Sequence, residues 1–237
     1  MLIEDYKVVK HNFLINAKSK YKYTLNELKL ICHLIANILP TDTNLETKKV
    51  SMRDLNFIIS CESNNYSKIG KELENLLTKP FKLPNGYVVN WFSCLKYENG
   101  FLEYSFDTRL KEYLLNLNSN FTSYYLTNVL NLKSAYSIRI FELLFQLKDK
   151  GYRTIFLNDL RECLGIPNSY SNKDIRRLIE NVQNDLQLHT TIQFEFKLVK
   201  KGKQFHKVEF IIKNNKKVKG VSYCIANNKT ATIKPKA

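Results

Sequence analysis

The last third of the chain constrains the fold most. Ser134 stands where a helix N-cap belongs, ahead of a helix predicted over Ala135–Lys148 with Ile138, Ile140, Phe141, Leu144, Phe145 and Leu147 apolar. Gly151 ends it in the manner of a C-terminal glycine. Tyr152–Leu157 reads as a strand, and Asn158 as the cap of a short helix, Asp159–Leu164, closed by Gly165 and Pro167. The turn Asn168–Ser171 leads into a long helix, Asn172–Leu188, whose apolar face is Ile175, Leu178, Ile179, Val182 and Leu186. Thr191–Val199 and Phe205–Lys213 alternate in polarity as strands do, and Lys200–Lys203 joins them.

Helix, strand, two helices and a β-hairpin form the element order of a winged helix, whose common task is to place one helix in the DNA major groove. The first half predicts the same order. Val8–Asn16 suggests an extended lead-in. Thr24 and Glu27 form a capping box that opens a helix to about Leu39. Lys48–Ser51 reads as a short strand. Ser51 caps a helix over Met52–Ile59, and a third helix fits Tyr66–Thr78. Strands follow over Phe81–Leu83, Tyr87–Tyr97 and Phe101–Phe106, with Asn85-Gly86 and Asn99-Gly100 at the turns. Helices are expected at about Thr108–Leu117 and Tyr125–Leu132. The predicted class is α+β with two tandem winged-helix domains, one over residues 1–120 and one over 121–214, and a basic mobile tail over 215–237. The repeated order without obvious sequence identity points to an old duplication.

The formal net charge is +15, and its distribution is uneven. Residues 1–120 hold 16 Lys and Arg against 13 Asp and Glu, whereas 121–237 hold 21 against 9. Lys213–Ala237 alone carries seven Lys and no acid. A field concentrated in this way suits a polyanion, of which nucleic acid is the commonest.

The charges coincide with the motif. Asn172, Lys173, Arg176 and Arg177 stand in the first turns of the predicted recognition helix. Arg suits guanine O6 and N7, and Asn suits adenine. Ser169, Tyr170 and Ser171 precede that helix, where hydroxyls could meet a phosphate. Lys200, Lys201 and Lys203 form the tip of the wing. The alternative for the arginines is a solvated face, with Arg176 paired to Glu180 four residues on. In the first unit the equivalent helix offers Asn65, Tyr66, Ser67, Lys68 and Lys71, beside Glu72 and Glu74. Its near-neutral domain leaves two readings open, DNA contact or protein contact through Trp91, Phe92 and the strand around them.

Catalysis finds little support. There is no phosphate-cradling Gly-x-x-x-x-Gly-Lys segment, and the four His (11, 33, 189, 206) never take metal-ligand spacing. His33 and His189 read as structural. No metal, cofactor or enzymatic activity is expected. The five Cys (32, 61, 94, 163, 224) show no disulfide framework. With no leader-like N-terminus and no apolar run of the roughly 20 residues a membrane helix needs, the chain reads as cytoplasmic with no membrane partner.

Several segments resemble one family. Tyr136-Ser-Ile-Arg139-Ile-Phe-Glu142-Leu-Leu resembles its "YSIRLYELL" helix, and Leu157-Asn-Asp-Leu160-Arg161-Glu-Cys-Leu164-Gly165-Ile166 its "L-x-x-LR-x-x-LGI" segment. Tyr170 and Asp174-Ile-Arg176-Arg177 resemble the start of its recognition helix. Thr191-Ile-Gln-Phe194-Glu195-Phe196 with Lys200-Lys-Gly202 resembles its wing. The family is the replication initiators of iteron-containing theta-replicating bacterial plasmids, and the match is specific over about Phe121–Ile212. The resemblance implies a C-terminal domain that recognises origin repeats (iterons) in double-stranded DNA, and an N-terminal domain that contacts DNA in monomers and forms the interface in dimers. It also implies origin opening at an AT-rich segment, recruitment of the host initiator and helicase, and repression of the initiator's own gene by dimers at an inverted repeat. Two positions depart from the pattern: Leu178 where a third basic residue often follows the Arg pair, and Lys203 where the wing usually has Arg. A winged-helix transcription regulator without a replication role, or a protein using winged helices for protein contacts, would share the same elements.

Overall fold

The computed structural model describes residues 6–18, 20–59, 66–202 and 204–214. The chain divides into two compact units, one of Lys7–Ala17 with Tyr23–Ser123 and the other of Tyr124 onward joined by Tyr6 and the stretch Lys18–Lys22. The expected domains took residues 1–120 as one block. The exchange has local causes. Lys18 binds Asp159 and Glu162 at 2.6 and 2.8 Å, and the Leu126 N–H donates to the Tyr6 carbonyl at 2.8 Å.

The first unit runs β1 (Lys7–His11), α1 (Asn12–Asn16), α2 (Leu25–Ala36), β2 (Lys48–Ser51), α3 (Met52–Ile58), α4 (Tyr66–Leu76), β3 (Phe81–Lys82), β4 (Val88–Val89), β5 (Phe92–Glu98), β6 (Phe101–Phe106), a 3₁₀ turn at Thr108–Leu110 and α5 (Lys111–Leu114). β7 (Phe121–Tyr125), α6 (Thr127–Leu130), α7 (Ala135–Phe145), β8 (Tyr152–Phe156), α8 (Leu157–Leu164), α9 (Asn172–His189), β9 (Ile192–Lys201) and β10 (Gln204–Asn214) follow. The two three-stranded sheets have orders β2-β6-β5 and β8-β10-β9. In each, the strand after the first helix pairs with the last strand of the hairpin, and all pairings are antiparallel. The same topology therefore occurs twice, and α+β with two winged helices describes the chain. The first unit adds a ribbon, β3-β4, between α4 and β5.

Local chemistry explains the elements. The Thr24–Glu27 capping box is formed, and Ser51 and Ser134 accept from the N–H groups of Asp54 and Ser137. Asn99 and Gly100 both take positive φ (50° and 79°), as a tight hairpin turn between β5 and β6 demands. The core of the first unit stacks Phe92, Tyr104 and Phe106 under α2, where the Tyr104 hydroxyl donates to the Leu34 carbonyl at 3.2 Å. Its buried Glu27 meets Lys79 at 2.6 Å. In the second unit the buried Glu142 accepts from the Tyr124 hydroxyl at 2.5 Å and from Arg139 at 3.0 Å.

Several expectations shift. The lead-in is extended only to His11, whose ring accepts from the Phe13 N–H at 3.1 Å and so starts α1. α2 stops at Ala36 rather than Leu39, since the residue before Pro40 is disfavoured in helix. The expected strand Tyr87–Tyr97 breaks at Asn90-Trp91, because Trp91 turns inward against Phe81, with ring centroids 5.0 Å apart. Of the helix expected at about Tyr125–Leu132, Tyr125 instead ends the strand β7, whose burial alternates, and only Thr127–Leu130 is helical, as α6. Asn158 does not cap α8, which starts at Leu157 after Phe156 with no side-chain cap.

Candidate nucleic-acid interface

The site is built on α8, the turn after it and α9. α8 ends in Gly165 at φ 63°, a left-handed residue that a side chain would strain. A Cβ there would also meet the Lys22 Cα at 3.4 Å. The chain then turns under the guanidinium of Arg161, which donates to the carbonyl oxygens of Pro167 and Tyr170 at 2.9 and 2.7 Å. That grip fixes the turn through which α9 is reached. Leu160, Leu164 and Ile166 are buried beside it, so the "LR-x-x-LGI" pattern is an apolar anchor, a turn clamp and a helix stop in one segment.

α9 opens on a second capping box. The Ser171 hydroxyl donates to the Asp174 carboxylate at 2.6 Å and accepts from the Asp174 N–H at 3.3 Å, while the Ser171 N–H also reaches that carboxylate at 2.9 Å. These bonds hold the Asp174 carboxyl below its ordinary range, the Ser171 hydroxyl being the largest cause. Ser171 is thus the helix cap, and its hydroxyl is engaged rather than open to a phosphate. Ser169 is exposed and Tyr170 half-buried.

Ile175, Leu178, Ile179, Val182 and Leu186 are buried, and Asn172, Lys173, Arg176 and Arg177 are exposed on the first turns. Arg177 forms an ion pair with Asp174 at 3.4 Å. Arg176 has no ion pair among the described residues, and the alternative pairing with Glu180 does not form. At about 100° per residue, Lys173 points directly away from the core, with Arg176 to one side and Arg177 to the other. Gln183 lies on the Arg176 side and donates to the Phe194 carbonyl of β9 at 2.5 Å, so that side of α9 faces β9.

The wing is the β9-β10 hairpin, turned by Gly202 at φ 65°. Lys200 lies over the Phe205 ring at 5.5 Å from its centroid, and Lys201 is exposed. Lys203 lies outside the described residues, as do Asn65 and the whole of 215–237.

In the first unit Tyr66, Ser67, Lys68 and Lys71 are exposed at the start of α4. Glu72 turns instead to the head of α2, accepting from Thr24 and Asn26 at 2.8 and 3.2 Å. Lys71, Tyr66, Gly70 and Glu74 line an open recess of about 520 Å³ against Tyr97 and Phe101 of the hairpin. The Tyr97 hydroxyl is pushed up to about 12 by burial, then by the nearby Glu74.

Arg161 and Asp174 were not among the residues expected here. Arg161 acts on carbonyls 6 and 9 residues ahead, a spacing no local pattern flags. Asp174 had a signal, since Ser-x-x-Asp is a variant of the capping box. Among the described residues no group of His, Cys, Asp and Glu is placed to hold a metal ion, and no helix is long and apolar enough to cross a membrane.

Two winged helices, the second with exposed basic residues on the first turns of α9 and on its wing, place the chain among winged-helix proteins. The family model described as "Initiator Replication protein, WH1" matches residues 7–145, and "Initiator Rep protein, WH2" matches residues 157–212. The chain belongs to this family of initiator replication proteins. A solved structure, the Pi initiator protein in complex with iteron DNA, matches with a TM-score of 0.69 at 18% identity, covering 88% of this chain and 97% of that one. At that identity the likeness is one of fold. No curated protein matches.

Proposed function

We propose that the chain is a plasmid replication initiator that binds double-stranded DNA sequence-specifically at origin repeats. The observation that carries this is the exposure of Asn172, Lys173, Arg176 and Arg177 together on the first turns of α9, held by the Arg161 clamp and the Ser171–Asp174 box. Lys173 and Arg176 offer donors to base edges, while Lys200, Lys201 and Lys203 on the wing meet backbone. Family membership supports the same reading, and so does the likeness in fold to an initiator solved with iteron DNA.

Within this reading residues 121–214 recognise the repeat. The first unit, through Asn65, Tyr66, Ser67, Lys68 and Lys71, contacts DNA in the monomer and supplies the interface in a dimer. The dimer represses the chain's own gene. Bound monomers promote origin opening and engage the host's replication initiator and helicase, with no bond made or broken by the chain itself. Residues 215–237, with six Lys and no acid, add sequence-independent attraction to phosphates.

The test is replication. A DNA circle lacking any other replicon, carrying the gene and its flanking DNA, is introduced into a bacterial host. Stable maintenance that is lost with Arg176→Ala supports the proposal. Binding to the flanking DNA without maintenance overturns it in favour of a transcription regulator.

A further inference from the structure

Arg176 and Arg177 are neighbours in sequence but stand in different surroundings. Arg176 is exposed on the side of α9 that faces β9. Arg177 lines a recess of about 210 Å³ between the start of α7 and the first turns of α9, together with Tyr136, Tyr170, Asp174 and Asn181. Arg177 and Asn181 are four residues apart and share a helix face. The Tyr136 hydroxyl is withdrawn from solvent, with the Tyr170 hydroxyl as its polar neighbour. Burial raises its pKa, and the adjoining Tyr170 hydroxyl raises it further. The Lys22 ammonium lies over the Tyr136 ring, 5.6 Å from its centroid, and adds positive charge on that side. The Asp174 carboxylate also lines the recess, accepts from Ser171, and has its charge met by Arg177 at 3.4 Å.

We propose that this recess seats one phosphate of the DNA backbone, with Arg177 and the Tyr170 hydroxyl as donors, Asn181 beside them and Tyr136 as a positioning residue behind Tyr170. The proposal rests on the DNA-binding reading above and divides its labour. Arg176, on the wing side, reads a base edge. Arg177, on the α7 side, anchors the strand across the groove. One arginine then specifies and the other positions, the two kinds of contact that protein–DNA interfaces separate. The seat lies on the opposite side of α9 from the wing lysines, so the two grip the backbones that border the groove.

The experiment titrates the full chain, wild type and variants, against the tightest-binding duplex from the gene's flanking DNA and against a scrambled duplex. Arg177→Ala weakens both duplexes alike, about tenfold, and lowers the salt slope by about one. Tyr170→Phe, which keeps the ring, weakens both by roughly three- to tenfold. A methylphosphonate scan finds one phosphate whose neutralisation abolishes the effect of Tyr170→Phe. Arg176→Ala weakens mainly the specific duplex. If Arg177→Ala instead relaxes one base position and leaves scrambled binding unchanged, the seat is refuted. Millimolar inorganic phosphate that displaces the duplex at fixed ionic strength would assign the recess to a free anion and equally overturn it. Failure of wild type to discriminate between the duplexes would sink the DNA-reading proposal itself, a different result from either.

Discussion

Arg161 on α8 donates a guanidinium N–H to the Tyr170 carbonyl at 2.7 Å, joining the first helix of the motif to the residue just before the second is capped. A second N–H takes the Pro167 carbonyl at 2.9 Å. The fork holds two carbonyls at once, which the single ammonium of Lys does not reproduce.

Arg161→Ala should therefore free the turn. The expected cost is about 1–2 kcal/mol for charge-assisted bonds at a partly exposed site. Hydrogen exchange should rise over residues 165–175 more than elsewhere, and discrimination between specific and scrambled duplex should fall. Arg161→Lys recovers only part of either. Unchanged exchange in that stretch would show that the clamp does not set the turn.

The cap of α9 titrates. Asp174 is held low by the Ser171 hydroxyl and backbone, so its contribution is present above the ordinary carboxylate range, near 3.9, and lost as pH falls through the lowered value. Ser171→Ala should cost about 1 kcal/mol at neutral pH. That cost should shrink in strong acid, read by thermal unfolding across pH. A cost independent of pH would mean that the pair does not cap the helix.

His33 makes the first unit acid-sensitive. Burial lowers its pKa to about 4, so the unfolded chain takes up the proton first. Stability present above about 6.5 should be lost as pH falls toward 4, by on the order of 3 kcal/mol. His33→Leu should flatten that part of the profile in urea titrations. A variant with the wild-type slope would locate the acid sensitivity elsewhere.

Glu142 is buried with an ion pair to Arg139 and a short bond from Tyr124. Glu142→Leu strips the charge that both partners address, at a cost of about 3–5 kcal/mol. Chemical denaturation should show the loss in the transition of the second unit. A loss below 1 kcal/mol would mean that the family's "YSIR" helix is not held by this pair.

Elements defined by short spacings were legible in the sequence. Thr24 and Glu27 announce their capping box three residues apart, and the buried stripe from Ile175 to Leu186 announces α9. The basic cluster at its start was legible for the same reason. What escaped depends on distant partners. Nothing near Lys18 foretells Asp159 and Glu162, nothing near Trp91 foretells Phe81, and nothing around Arg161 marks its two carbonyls. His11 as a cap escaped because imidazole is an uncommon N-cap acceptor. Taken alone, the Ser171 hydroxyl could meet a phosphate, and its engagement as a cap becomes visible only with the Asp174 carboxylate beside it. The different surroundings of Arg176 and Arg177 needed the helix in place, since adjacent residues on a helix point about 100° apart.

The central claim is tested most directly by a fluorescence anisotropy titration of the full chain against duplexes tiled across the DNA flanking its gene, at two salt concentrations. The account predicts tight binding to a direct repeat, roughly a thousandfold or more over scrambled duplex. Uniformly weak binding that depends on salt but not on sequence would contradict it.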